Sequence, residues 1–166
     1  MGMELKWGLL FSLSTLVWAL IEKLGGFHDA RLEQHPWFSM LFMIPAVAIY
    51  YFAVRNKRAS QGGTIDFKQI FMFGLAVSVI VAVLSPLLQW VTHRVISPNY
   101  FANIIQLSVS TGRMTQQQAE AFFNLNSYII QSSIFALVAG VVTTLVLAAL
   151  MQTRGAQKPS GGAPQG

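Results

Sequence analysis

Glu22, His28, Asp29, Glu33, His35 and His93 are the side chains best suited to binding a metal or moving a proton, and they include every histidine of the chain. Imidazole nitrogen with carboxylate oxygen is a zinc-type donor set, so Glu22, His28, His35 and His93 form a candidate site for a divalent metal. Imidazoles also titrate close to neutral pH and can report external acidity. His28 and His35 are separated by a short loop that can bring them together, but no pair has the fixed i, i+4 spacing of a helix-borne site such as H-E-x-x-H. The plainer reading makes all of them polar residues at a membrane interface. A carboxylate inside a span is expensive, whereas one a turn from its end can reach water or headgroups. Glu22 is therefore expected to form a structural pair with Lys23, Arg94 or His93 and not to relay protons.

Other chemistries have little to build with. The chain has no cysteine, which removes disulfides, thiolate sites, cysteine nucleophiles and iron–sulfur clusters. It has no G-x-S-x-G, and Gly62-Gly63 lacks the lysine and helix context of a phosphate loop. The expectation is a non-enzymatic protein with no cofactor. The formal charge of +5 reads as the basic bias that orients membrane proteins and not as a nucleic-acid footprint.

The elements that must position these residues are membrane spans. Of the 166 residues, 54% are hydrophobic and only 10% charged, against about 25% charged in soluble domains. The apolar residues come in long runs without strand or amphipathic-helix alternation. Four runs suit helices that satisfy their backbone hydrogen bonds internally: Trp7 to Leu24, Trp37 to Val54, Phe67 to Val91 and Ser127 to Met151. The first lacks small residues at an A-x-A spacing before Glu22 and Lys23 and is long for a signal-peptide core, so it reads as retained.

Lys6, Arg55, Lys57, Arg58, Lys68, Arg154 and Lys158 collect on one side, against Lys23, Arg31, Arg94 and Arg113 on the other. The densely basic side should be cytoplasmic, with both termini inside. The histidines then lie at the outer face.

The loops 31–36 and 55–66 are too short for a domain. Residues 155–166, rich in Gly, Pro, Gln and Ser, are expected to be a disordered cytoplasmic tail. The 97–126 segment is long for a connector and predicts an extracytoplasmic helical hairpin. Ser97 can cap a helix with Pro98 at its first position, Gly112 can stop it, and Thr115 with Gln118 makes a capping box for a second helix through Phe123. Asn124 and Asn126 should break the chain before the fourth span. Such a hairpin can pack on its own bundle, lie in the headgroups or bind a partner.

Within the third span Gly74, Ser78, Ala82 and Ser85 recur at helical steps, as do Ala136, Gly140 and Thr144 in the fourth. Small residues let helix backbones approach, which predicts a contact between spans three and four, although the same pattern could serve a homodimer. Pro45 and Pro86 interrupt spans two and three, and Gln89, Gln131, Ser132 and Ser133 add polar groups near the outer ends. With no charge at the membrane centre, no ion path is apparent.

The order of several pieces resembles a known family. They are Trp7-Gly8, Glu22-Lys23, His28-Asp29, Phe67-Lys68-Gln69, Ser85-Pro86, Thr92-His93, Pro98-Asn99-Tyr100-Phe101, Met114-Thr115, the run Gln118 to Asn124, and Ser127 to Gln131. Together they resemble small bacterial inner-membrane proteins grouped as the domain-of-unknown-function family four-one-nine-nine; the Gly-rich tail departs from that pattern. The resemblance implies an inner-membrane location and a four-span fold, and it carries no activity or catalytic residue.

The expected fold is an all-α membrane protein, a four-transmembrane-helix bundle with an extracytoplasmic helical hairpin between spans three and four, in the cytoplasmic (inner) membrane of a bacterium. The leading functional expectation is an accessory or structural component that meets the lipid bilayer and a protein partner, through the hairpin or as a homo-oligomer. The alternative is a small-solute transporter or a metal- or pH-responsive sensor whose outer mouth includes Glu22, His28, His35 and His93.

Overall fold

The computed structural model describes residues 2–153 and is all-helical, with no strand among those residues. Seven helices follow in order: α1 (Met3–Leu24), α2 (His35–Met40), α3 (Met43–Ser60), α4 (Phe67–Val91), α5 (Tyr100–Ser110), α6 (Gln116–Phe122) and α7 (Leu125–Met151). A 3-10 turn at Leu32–Gln34 precedes α2, and a π-helical turn at Thr92–Ile96 follows α4. Four stretches are long and apolar enough to cross a membrane: Met3–Leu24, Leu32–Ser60, Phe67–Ile96 and Leu125–Met151. Large apolar side chains stand exposed along them, including Leu13, Val83, Val138 and Leu150, as expected of helices solvated by lipid. The tail expected at 155–166 lies outside the described residues.

The helix boundaries follow local chemistry. Asp66 and Gln69 form a reciprocal capping box at the start of α4, as Thr115 and Gln118 do for α6. Asn124 accepts from the Ser127 amide and starts α7, so that helix begins two residues before the apolar run. Gly112, at φ 68°, follows α5 in the left-handed conformation that a side chain disfavours. One expectation is corrected: Ser97 does not cap α5. The helix begins at Tyr100, and no side chain caps it. The Ser97 hydroxyl is drawn instead to His28, on a distant loop.

The tightest seam joins α4 to α7. A Cβ on Gly74 would collide with Thr144, and one on Gly140 with Ser78 and Tyr50. The small-residue steps thus serve contact within the chain. Beside this seam Tyr50 of α3 and Ser78 of α4 share a hydrogen bond of 2.7 Å.

The two prolines act differently. Pro86 lies inside α4 without ending it. The Ala82 carbonyl, which its missing N–H would have bonded, accepts the Ser133 hydroxyl of α7 at 3.3 Å. Pro45 cannot bond the Leu41 carbonyl, and the second span breaks at Leu41–Phe42, where i to i+3 bonds run from Leu41 to Phe38, from Phe42 to Ser39 and from Ile44 to Leu41.

Contacts give the bundle two distinct ends. At one, Lys57 pairs with Glu4 at 3.2 Å, and Ile65 and Thr153 exchange hydrogen bonds, over a core of Tyr50, Val54, Ile70, Phe73, Val77 and Leu147. At the other lie the α1–α2 loop, the π-helical turn, α5 and the start of α7.

Candidate metal centre

Glu22 occupies the last turn of α1, one helical turn after Trp18, and is buried at 6% exposure. Its Oε1 accepts from the Trp18 indole at 2.9 Å and from the Ser39 hydroxyl of α2. Its Oε2 faces two imidazoles: Nε2 of His28 at 3.3 Å and Nε2 of His35 at 3.6 Å. One donor atom each from Glu22, His28 and His35 lie within 4.8 Å of one another.

Those separations bear on two chemistries, an imidazole–carboxylate hydrogen bond and a shared metal ion. A charge-assisted N–H···O bond shortens to about 2.7–2.9 Å. Zinc bonds of roughly 2.0–2.1 Å at tetrahedral angles set neighbouring donor atoms about 3.3 Å apart. The Glu22–His28 distance of 3.3 Å meets the second value and also closes a long hydrogen bond, the Glu22–His35 distance of 3.6 Å exceeds both, and the three donor atoms spread to 4.8 Å, so a bound ion would draw them together. A buried carboxylate also needs positive charge; the nearby lysine does not supply it, and the groups facing the carboxylate are the two imidazoles, which pair with it when protonated or share a cation with it when neutral. Lys23, 100° further round the helix, turns away to Asp29 at 2.6 Å.

The outer nitrogens of both rings are held by hydroxyls. Nδ1 of His28 is 2.5 Å from Ser97 Oγ, and Nδ1 of His35 is 3.3 Å from the Tyr100 hydroxyl, which lies 3.2 Å from that of Tyr128. When each Nδ1 carries the proton and donates outward, both Nε2 lone pairs point at the carboxylate oxygen, the tautomer that metal ligation requires. Burial, followed by the neighbouring Tyr128, pushes the Tyr100 hydroxyl above its ordinary pKa, so it stays protonated. Asn103 of α5 fixes the loop by donating to the His28 carbonyl and to Asp29, both at 3.1 Å. Beside it runs an open polar cleft of about 700 Å³, walled by Asp29, Arg31, Glu33, Gln34, Asn99 and Asn103.

The structure brings three of the four proposed ligands together and leaves His93 out of the group. The His93 ring lies against Phe101 and Tyr128, with centroids 4.3 and 5.3 Å away, and its buried Nδ1 has no hydrogen-bond partner. The structural pair expected for Glu22 is corrected as well. Its partners are Trp18, His28, His35 and Ser39, and none is Lys23, Arg94 or His93. Glu33 lines the cleft, and Asp29 is engaged by Lys23 and Asn103.

Ser97, Tyr100, Ser39 and Trp18 are the participants that sequence reasoning missed. Only Trp18 left a signal, four residues before Glu22 on one helix face. Ser97, His28 and Glu22 also form a hydroxyl–imidazole–carboxylate chain of the kind that activates a nucleophile. Ser97 is buried at 1% exposure, as His28 and Glu22 are at 2% and 6%.

A family model described as "Protein of unknown function (DUF4199)" matches residues 6–153, and the chain belongs to that family. No curated protein and no solved structure matches the chain.

Proposed function

We propose that this member of the DUF4199 family is a non-enzymatic component of the bacterial inner membrane that responds to a divalent transition metal of the zinc class, bound at its outer end by Glu22, His28 and His35. The observation that carries this reading is the 3.3 and 3.6 Å spacing of two imidazole nitrogens about one buried carboxylate oxygen. Imidazole and carboxylate donors suit such ions, and three protein ligands leave a fourth position for water or a partner's side chain.

The basic residues Lys57, Arg58 and Lys68 support an inward-facing terminal end, and with it N-in, C-in spans and an outer pair formed by α5 and α6. The metal ligands come from α1, the following loop and α2, while the hydroxyls behind them come from Tyr100 of α5 and from Ser97, three residues before that helix. Metal occupancy therefore sets how firmly the outer helices sit on the bundle. That couples the ion to whatever protein or second copy the α5–α6 pair meets.

The test is titration of the metal-free full chain in detergent with Co(II) and Zn(II), read by the cobalt ligand-field spectrum and by bound metal. One ion per chain is expected, lost in His28→Ala and His35→Ala and retained in His93→Ala. Absence of binding, or binding indifferent to His28 and His35, overturns the reading.

A further inference from the structure

The second span is held at its two ends, by His35, Phe38 and Ser39 against Glu22, Trp18 and Phe27 at one and by Tyr50, Ala53 and Val54 toward the other, and packs loosely between them. The buried residues of α3, Tyr50, Ala53 and Val54, all lie beyond its first seven residues, while Met43, Ile44 and Val47 stand exposed. Tyr50, Ser78 and Gly140 close the space between α3, α4 and α7. Toward the Glu22 end the helices part around a cavity of about 250 Å³, lined among others by Phe11, Val81, Gln89 and Ala136. It opens sideways past Val47 and Phe135, both exposed on the outer surface of the bundle.

Shape and chemistry describe the occupant. Val81 and Gln89 on one wall are eight residues apart, as are Ser132 and Gly140 on another, so the cavity is about 12 Å long at 1.5 Å per residue. A dry apolar cavity of about 150 Å³ takes benzene, which scales to roughly ten carbons here. Water needs two to four polar partners, and these walls offer few. The hydroxyls of Thr15, Tyr50, Ser85 and Ser132 on these walls are already hydrogen-bonded within the bundle, and a polar group without such a partner stands at the end near the helix terminus. The Gln89 carboxamide has no hydrogen-bond partner among the described residues, and it adjoins Trp90, half-exposed where an aromatic belt marks a membrane interface. An unpaired amide at that level faces the ester carbonyls of a lipid, with the apolar slot running inward below it.

We propose that this cavity binds one acyl chain of a phospholipid from the leaflet at the Glu22 end, with the Gln89 amide donating to its ester carbonyl. The proposal rests on the four long helices crossing a bilayer and is independent of metal binding.

The test places the full chain in phosphatidylethanolamine–phosphatidylglycerol vesicles with a tracer phosphatidylethanolamine carrying a diazirine midway along one acyl chain, followed by photolysis and peptide mapping. Adducts are expected on Phe11, Val81 and Ala136 in addition to those on the outward-facing Val83 and Val138. Ala136→Trp fills the slot and should abolish the inner adducts while the outer ones persist as an internal control for insertion. Gln89→Leu, which keeps the volume, should lower the inner-to-outer ratio about two- to tenfold, the range of one net hydrogen bond. Adducts confined to outward residues overturn the proposal. So does an inner-to-outer ratio that neither variant lowers.

Discussion

Glu22→Ala and Glu22→Gln should fail in different ways, because the two carboxylate oxygens do different things. Oε1 is the acceptor for Trp18 and Ser39, and Oε2 faces the imidazoles. Alanine orphans two donors at about 1–3 kcal/mol each, so roughly 2–6 kcal/mol in all. At about 2–4 °C per kcal/mol for a chain of this size, the metal-free unfolding midpoint should fall by at least about 4 °C. Glutamine keeps an acceptor oxygen for both donors and should cost well under half as much. With free zinc at a hundred times its dissociation constant, the wild type gains about 2.7 kcal/mol, or roughly 5–11 °C. A variant bound a hundredfold more weakly gains only about 0.4 kcal/mol, or roughly 1–2 °C. Scanning fluorimetry in detergent, with chelator and then with buffered zinc, reads both quantities. The reasoning is refuted if Glu22→Gln keeps the full zinc shift, or if its metal-free loss equals that of Glu22→Ala.

Ser97→Ala should weaken zinc about 10–100-fold while leaving all three ligands in place, as removal of an outer-shell partner does, and competition with a chromophoric chelator measures it. Tyr100→Phe should act in the same direction through His35, by the same assay. Ser133→Ala strips the Ala82 carbonyl of its replacement donor and should cost about 0.6 kcal/mol, at most about 1.7, in reversible unfolding in detergent. Gly140→Ala should cost about 1–3 kcal/mol by overpacking against Ser78 and Tyr50. Combined with Ser78→Gly it should cost less than the two single changes added together, a coupling that a double-mutant cycle in the same unfolding assay detects.

The parts of this fold legible in the sequence are those encoded within a helix turn or a span. The steps at Gly74, Ser78, Gly140 and Thr144 marked the α4–α7 seam because a 3.6-residue period puts them on one face. Thr115 and Gln118 disclosed a cap because its two hydrogen bonds span only three residues. Grouping Glu22 with His28 and His35 followed from counting spans, which placed them at one end. Choosing among the histidines did not follow, because His93 enters through a π-helical turn that stands its ring against Phe101 and Tyr128. Ser97 looked like a cap since Pro98 follows it, and its true partner lies 69 residues away. No local rule reaches that far. Pro86 announced a kink, yet whether its orphaned carbonyl finds a partner depended on the register of another helix.

The break at Leu41–Phe42 separates two jobs within the second span. The six-residue α2 carries both His35 and Ser39, two of the four groups gathered on Glu22, and i to i+3 bonds from Leu41, Phe42 and Ile44 mark its joint to α3, with the i to i+4 ladder resuming at Ala46. The buried anchors of α3 lie beyond this joint, in the middle of that helix. The break thus places a joint at Leu41–Phe42: a metal that drew Glu22, His28 and His35 together would move α2 against an α3 anchored by Tyr50, Ala53 and Val54. A continuous helix would have carried that displacement down its whole length.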